Sequence, residues 1–263
     1  METGSGYALR AGRRTTYRAE ITSMNAFEVF LYEIASIPER INGLKGAAML
    51  AILAALTVVI PMRFGTSMII NPLLLLVLSA VAPLLAGNFL ARSFATEKAS
   101  ARIINTDDPA IAVATGKVLA ATAWGELLWI VFLAVPLTAL NASRTHVLLP
   151  PISTLLSLAL LAGALSWFAT SVGSIFAAGA PSPAMAQTFV RGIILMPVLI
   201  IAGISGLLPA RFLRTLLRAL QTENLPITLA AVSAVLIVAG FPALRKTAEK
   251  IEELRHPLSI LGE

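Results

Sequence analysis

The chain has 263 residues, of which 57% are hydrophobic and 13% are charged, about half the charged fraction of an average soluble domain. With a mean hydropathy of +0.83, it has too little polar surface for a soluble domain, which excludes soluble globular and disordered classes. Cysteine is absent and there are two histidines, which excludes disulfides, thiol catalysis and multi-histidine metal sites. We therefore predict an all-α integral membrane protein.

The first predicted element is an amphipathic helix in the N-terminal region, residues 1–43. Asn25 and Glu28 have the spacing of a capping box, which marks the start of a helix. One arc of this helix is apolar and the other is polar; the two arcs are Phe27, Phe30, Leu31, Ile34, Ile37 and Ile41, and Glu28, Tyr32, Ser36, Glu39 and Arg40. We expect the helix to lie flat on the cytoplasmic face of the lipid bilayer, as an anchor or as a lever that meets a partner.

Six stretches are apolar over about 20 residues, the length that crosses about 30 Å of hydrocarbon as a helix. These predicted spans are residues 44–62, 68–91, 118–140, 152–176, 192–209 and 226–244. They define a six-span transmembrane domain, residues 44–244, followed by a C-terminal tail, residues 245–263.

The positions of Lys and Arg predict the orientation. With the N-terminus inside, 15 of the 20 Lys and Arg residues lie on the cytoplasmic side. We therefore predict a multi-pass protein of a bacterial cell (inner) membrane with both termini in the cytoplasm. Three of the five outer charges, Arg211, Arg214 and Arg218, share one side of a second amphipathic helix before the last span. This helix is an outer-leaflet anchor, a contact for an anionic substrate or lipid headgroup, or evidence for a different topology.

The segment between the second and third spans carries charges of both signs. Asp108 followed by Pro109 favours the start of the third helix, with Asp108 as the N-cap. We predict a short cytoplasmic helix over residues 94–105, on which exposed Ile103 and Ile104 form an apolar docking surface inside a polar rim. The alternative is a solvated loop. The candidate coupling residues of this segment are Phe94, Glu97, Lys98, Arg102, Ile103, Ile104 and Asp107.

This segment resembles that of the ABC-2 type transporter permeases. In that family an aromatic residue, a Glu-Arg or Glu-Lys pair, a short helix, a Pro turn and Gly-Lys follow one another. Phe94, Glu97-Lys98, Pro109 and Gly116-Lys117 match in this order. A departure is Ala101-Arg102, near the place where the family often has Gly-Thr. The N-terminal helix and six spans extend the resemblance over nearly the whole chain.

The resemblance implies a permease subunit of an ATP-driven exporter. Two copies of a separate ATPase subunit would bind ATP and Mg²⁺, and a second permease copy, identical or different, would complete the transporter. No nucleic-acid partner is expected. This chain is not predicted to be an enzyme or to bind a cofactor. Its nearest match to a P-loop ends in Gly116-Lys117, but Ile111 stands in place of the first Gly and Val118 in place of the hydroxyl residue.

Glu126 is the only acidic residue inside a predicted span. It is a candidate for the substrate path, or for the ion site of a gradient-driven secondary carrier, the rival function. A Glu satisfied by neighbouring hydroxyls is the structural alternative. Ser166, Thr170 and Ser174 follow one another at a spacing of four, between Ala162 and Ala178. This stripe favours close helix packing, with lining of the substrate path as the second interpretation.

Overall fold

A computed structural model describes residues 24–37, 81–99, 103, 107–142, 152–182, 184–190, 192 and 225–255. Within these ranges the regular structure is entirely helical. The helices are α1 (Ala26–Ala35), α2 (Val81–Ala99), α3 (Ala110–Asn141), α4 (Ile152–Gly179) and α5 (Leu225–Arg255), with a further helical stretch at residues 184–190.

Among the described residues, three helices are long and apolar enough to cross a membrane: α3 over Ala110–Val135, α4, and α5. They contain the predicted spans at 118–140, 152–176 and 226–244. The predicted span at 44–62, the predicted span at 192–209 apart from its first residue, and the first part of the span at 68–91 lie outside the described residues. So does the predicted outer helix with Arg211, Arg214 and Arg218. At 1.5 Å per residue, the 31 residues of α5 extend about 46 Å, well beyond about 30 Å of hydrocarbon.

The start of α1 is the predicted capping box. The Asn25 side chain accepts hydrogen bonds from the backbone N–H groups of Phe27 and Glu28, and Glu28 Oε2 accepts from the Asn25 N–H at 2.8 Å. The most buried side chains of the helix are Val29 and Glu33, whereas Phe27 and Leu31 are exposed. Glu33 lies at the edge of the predicted apolar arc, and Phe30, Ile34 and Ile37 of that arc are partly buried against the main apolar cluster.

Packing between α4 and α5 uses small residues. A Cβ atom on Gly240 of α5 would collide with the indole ring of Trp167 of α4. The indole Nε1 donates to the carbonyl oxygen of Ile237 at 3.1 Å, close to Pro242, which has no N–H to contribute to the α5 backbone. A turn or two further along, the hydroxyls of Ser174 and Thr247 lie 2.6 Å apart.

One end of the bundle collects the charged residues. The end of α2, the start of α3 and the ends of α4 and α5 all lie there, and α1 packs across it. We call it the charged end; its defining residues are Glu33, Glu97, Lys117 and Arg255. Under the predicted orientation it faces the cytoplasm.

Two predictions about the segment before α3 are wrong. Residues 94–99 continue α2 and do not start a separate short helix. The N-cap of α3 is Pro109, with no side-chain hydrogen bond, and not Asp108. The Asp108 carboxylate instead accepts a hydrogen bond from the backbone N–H of Met24 at 2.5 Å. Tertiary contact with the segment before α1 has replaced the local cap.

Candidate functional site

The ammonium group of Lys117 joins three helices at the charged end. Its Nζ lies 2.6 Å from Glu33 Oε1 on α1 and 2.8 Å from Glu97 Oε2 on α2. It also donates to the hydroxyl of Ser93 on α2 at 2.6 Å, and that hydroxyl donates to Glu33 Oε2 at 2.9 Å. The ring of Phe94 lies 5.3 Å from Nζ, measured to its centroid. We call these five residues the Lys117 cluster.

Because the Lys117 cluster is buried, loss of any one of its charged side chains leaves a buried charge without that partner. The side chains of Glu33 and Lys117 are fully inaccessible, and Glu97 is nearly so. A Lys ammonium has three N–H donors, and here all three have an oxygen acceptor. Removing one partner of a buried ion pair typically costs about 3–5 kcal/mol, because the remaining charge is left unpaired and dehydrated.

The local sequence explains why these groups meet. Ser93 and Glu97 are four residues apart, so they share one face of α2. Gly116 stands beside Lys117 on α3 where α1 crosses. A Cβ atom on Gly116 would lie 2.6 Å from Val29 Cβ and 2.7 Å from the Ala26 carbonyl oxygen. Glycine at this position therefore permits the close approach that brings Glu33 to Lys117.

A second set of hydrogen bonds fixes the segment before α3. Arg255, the last residue of α5, donates from Nε to the carbonyl oxygen of Ile103 at 3.0 Å and from Nη1 to that of Asp108 at 2.7 Å. The segment before α3 is therefore bound by Met24, just before α1, and by Arg255, at the end of α5. Lys98 points elsewhere, and its Nζ donates to the carbonyl oxygens of Ala178 and Ala180 at the end of α4.

The predicted docking surface is wrong where it can be checked. Ile103 is only 3% exposed and belongs to the main apolar cluster, as does Phe94. Glu97 is bound inside the Lys117 cluster and does not form a polar rim. Arg102 and Ile104 lie outside the described residues, and Asp107 is exposed. Polar neighbours in sequence predict exposure for Phe94 and Ile103, but the apolar residues that bury them come from parts of the chain far away in sequence.

The residues predicted inside the membrane lie where α4 packs against α3 and α5. Glu126 faces Gly163, where an added Cβ atom would lie 3.4 Å from the carboxylate carbon. Thr170 and Ser174 are fully buried; Thr170 lies 3.3 Å from the Thr122 hydroxyl, and Ser174 contacts α5. Ser166 is also fully buried. The close-packing interpretation of the stripe agrees with this burial, and no observation bears on a substrate path.

The sequence patterns do not identify Glu33 or Arg255 as site residues, and Lys117 enters them only as part of the Gly-Lys motif. Glu33 belongs to neither predicted arc of α1. Glu33 lies at the edge of the predicted apolar arc, next to Phe30 and Ile37 on the helix surface, where a carboxylate that becomes buried needs a partner. Its partner is 84 residues away, so no local pattern identifies it.

Comparisons of the chain with protein-family models, with curated proteins and with solved structures find no match.

Proposed function

We propose that the chain is the transmembrane subunit of an ATP-driven exporter of the ABC-2 type, with two permeases and two separate ATPase subunits in the complex. One observation carries the proposal. Of the motif residues behind the resemblance, Phe94, Glu97 and Lys117 converge on a single buried cluster, although up to 23 residues separate them along the chain. Residues that the motif separates along the chain therefore contact one another in one buried cluster at the charged end.

The Lys117 cluster suits mechanical coupling. Because one ammonium holds α1, α2 and α3, a displacement of any of these three helices at the charged end is passed to the other two. The exposed Asp107 lies in the segment between α2 and α3, close to where α3 begins. We propose that the ATPase pushes on this segment from the cytoplasm and that α3 carries the movement into the membrane. No covalent chemistry in this chain is required.

The rival function is a gradient-driven carrier that uses Glu126. The observation in its favour is that Glu126 Oε1 is buried and has no hydrogen-bond partner among the residues that the structure describes. A carrier of this kind would transport substrate in vesicles that contain this chain alone and an ion gradient. The ABC proposal requires ATP and the ATPase subunit in the same vesicles.

Site-specific photo-crosslinking tests the proposal. A photoreactive amino acid is placed at position 107 at the charged end, or at position 152, which is exposed at the opposite end of α4. We expect position 107 to crosslink a protein that contains a P-loop and hydrolyses ATP, and position 152 not to do so. Crosslinking of the ATPase from position 152, or of no ATPase from position 107, contradicts the proposal.

A further inference from the structure

An open cavity of about 200 Å³ lies at the charged end, where three helical segments meet. Its walls come from the end of α2, the end of α4, the turn that follows α4 and the start of the helical stretch at 184–190. Five of the lining residues are Ala or Pro, and the other two are Lys98 and Ser182. The space holds about six water molecules at about 30 Å³ each, which is enough for a small polar group. We call it the Lys98 cavity.

Lys98 brings a positive charge to the Lys98 cavity. Its ammonium has three N–H donors, and it donates to the carbonyl oxygens of Ala178 at 3.5 Å and Ala180 at 2.9 Å. Both acceptors are neutral, and no Asp or Glu lines the cavity within the part of the chain that the structure describes. The charge and one donor of Lys98 therefore remain for an anionic ligand.

Ser182 adds a second donor. Its hydroxyl oxygen accepts a hydrogen bond from the backbone N–H of Met185 at 3.2 Å, so the hydroxyl hydrogen can be donated to another group. An ammonium and a hydroxyl that line the same cavity suit an anion with several oxygen acceptors. A phosphate group has this chemistry, and Lys binds phosphate as a point charge.

A second cation lies near the same end of α4. A Cβ atom on Gly179 would lie 2.9 Å from Cε of Lys250 and 3.7 Å from its Nζ. The C-terminus of a helix carries a partial charge equivalent to about half an elementary negative charge. The two ammonium groups of Lys98 and Lys250 exceed that charge, so the region attracts anions.

Two exposed aromatic side chains lie on the membrane side of the Lys98 cavity. Phe176 precedes Ala180 by four residues, so it lies on the same face of α4 and about 6 Å closer to the middle of the helix. Its ring lies 6.1 Å from that of Phe189, measured between centroids. Phe176 is 43% exposed and Phe189 is 40% exposed. An apolar surface next to a cationic cavity suits an amphiphile, whereas a soluble phosphate compound would use the cavity alone.

We propose that the Lys98 cavity binds the phosphate of an anionic lipid of the cytoplasmic leaflet, with an acyl chain along Phe176 and Phe189. Lys98 and Ser182 donate to the phosphate oxygens. Basic pockets between membrane helices on the cytoplasmic side are typical sites for anionic head groups. A zwitterionic lipid would bring its own cation close to two lysines, which disfavours it. The leaflet follows from the predicted orientation, and lipid binding does not depend on the proposed exporter function.

Lipid photo-crosslinking tests the proposal with the full chain in phosphatidylcholine nanodiscs. The probe is phosphatidylglycerol with a diazirine in one acyl chain, and phosphatidylcholine with the same diazirine is the matched lipid. Mass spectrometry locates the labelled peptides, and unlabelled phosphatidylglycerol is added as a competitor. We expect saturable labelling near Phe176 and Phe189. Phosphatidylglycerol should label at least about tenfold more than phosphatidylcholine, since a competing cation offsets the charge-assisted hydrogen bonds of the latter.

Two charge variants test the role of Lys98. Lys98→Gln should lower the labelling at least about tenfold, because it removes the charge while its amide can still donate to the end of α4. Lys246→Gln is the matched control, since Lys246 is exposed on α5 and does not line the cavity. It should leave the labelling unchanged. Ser182→Ala removes a neutral donor and should lower the labelling about fivefold.

A steric variant keeps every charge and tests the cavity itself in case Lys98→Gln does not assemble. Ala95→Leu places a larger side chain in the Lys98 cavity and should lower the labelling at least about tenfold. Ala231→Leu, at an exposed position of α5, is the matched control and should have no effect.

Three results would overturn the proposal. They are equal labelling by the two lipids, labelling that does not saturate, and labelling that is indifferent to both Lys98→Gln and Ala95→Leu. Loss of labelling with inorganic phosphate, but not with chloride at the same ionic strength, would identify a soluble phosphate compound as the ligand and would also contradict a lipid site. Because the chain is tested without an ATPase, these outcomes are independent of the ATPase crosslink.

Discussion

Replacing Lys117 by Met should release α1 from the bundle. The change removes the ammonium that pairs with Glu33 at 2.6 Å and with Glu97 at 2.8 Å, leaving two buried carboxylates without their cation. The expected cost is about 3–5 kcal/mol. With only 10 residues, α1 is too short to be a stable helix by itself. Its order therefore depends on this docking.

Hydrogen–deuterium exchange measures the effect directly. A loss of about 3–5 kcal/mol corresponds to at least about a 100-fold rise in the opening of α1, read from backbone amides of residues 26–35. Lys98→Met is the matched control, since Lys98 holds the carbonyl oxygens at the end of α4. It should raise exchange near residue 180 and leave α1 unchanged. Unchanged protection of α1 in Lys117→Met would refute the reasoning.

Gly116→Ala should also release α1 from the bundle, through a steric clash and without removing any charge. The added Cβ atom would meet the backbone oxygen of Ala26 at 2.7 Å, and a backbone atom cannot rotate away. We expect α1 to move from α3 and its amides to exchange faster, as in Lys117→Met. If Gly116→Ala slows amide exchange in α1 whereas Lys117→Met speeds it, the steric fit and the ion pairs do not act on the same contact.

Three further predictions concern single contacts. Asn25→Ala should destabilise α1 by about 1 kcal/mol through loss of the cap, a roughly fivefold faster exchange that Asn25→Ser restores. Gly240→Ala forces a methyl group into Trp167 and should cost about 1–3 kcal/mol, seen as a lower unfolding temperature in detergent; Gly192→Ala, with nothing within 4 Å, should have no effect. Arg255→Gln removes the guanidinium that bonds the carbonyl oxygens of Ile103 and Asp108 and should speed amide exchange at residues 103, 107 and 108, with α4 unchanged.

Features that depend on composition or on a few neighbouring residues were predictable. The capping box involves residues three apart, and both of its hydrogen bonds are present. The apolar stretches that became α3, α4 and α5 were identified because hydrocarbon selects uninterrupted apolar helices. The Asp-Pro pair also predicted the start of α3 near Pro109, whereas the end of α5 was less predictable, since that helix continues past the apolar region over the charged residues 245–255.

Contacts between distant residues were not predictable in the same way. The polar neighbours of Ile103 in sequence predict an exposed side chain, yet that side chain is buried and its carbonyl oxygen is bound by Arg255, 152 residues later. Glu97 and Lys98 are adjacent and look equivalent in sequence, but on a helix they point about 100° apart. One enters the Lys117 cluster and the other reaches the end of α4. Only the packing of the helices decides which charge is buried.

The Lys117 cluster also constrains the order of events during synthesis. Glu33 leaves the ribosome 84 residues before Lys117, an interval of about 4–17 s at 5–20 residues per second. Throughout that interval Glu33 must remain in contact with water or headgroups, because its cation has not been made. Helix α1 therefore stays undocked while α2 is synthesised. It can dock only when α3 has supplied Lys117, so α1 joins the bundle after α2 and α3, which follow it in the sequence.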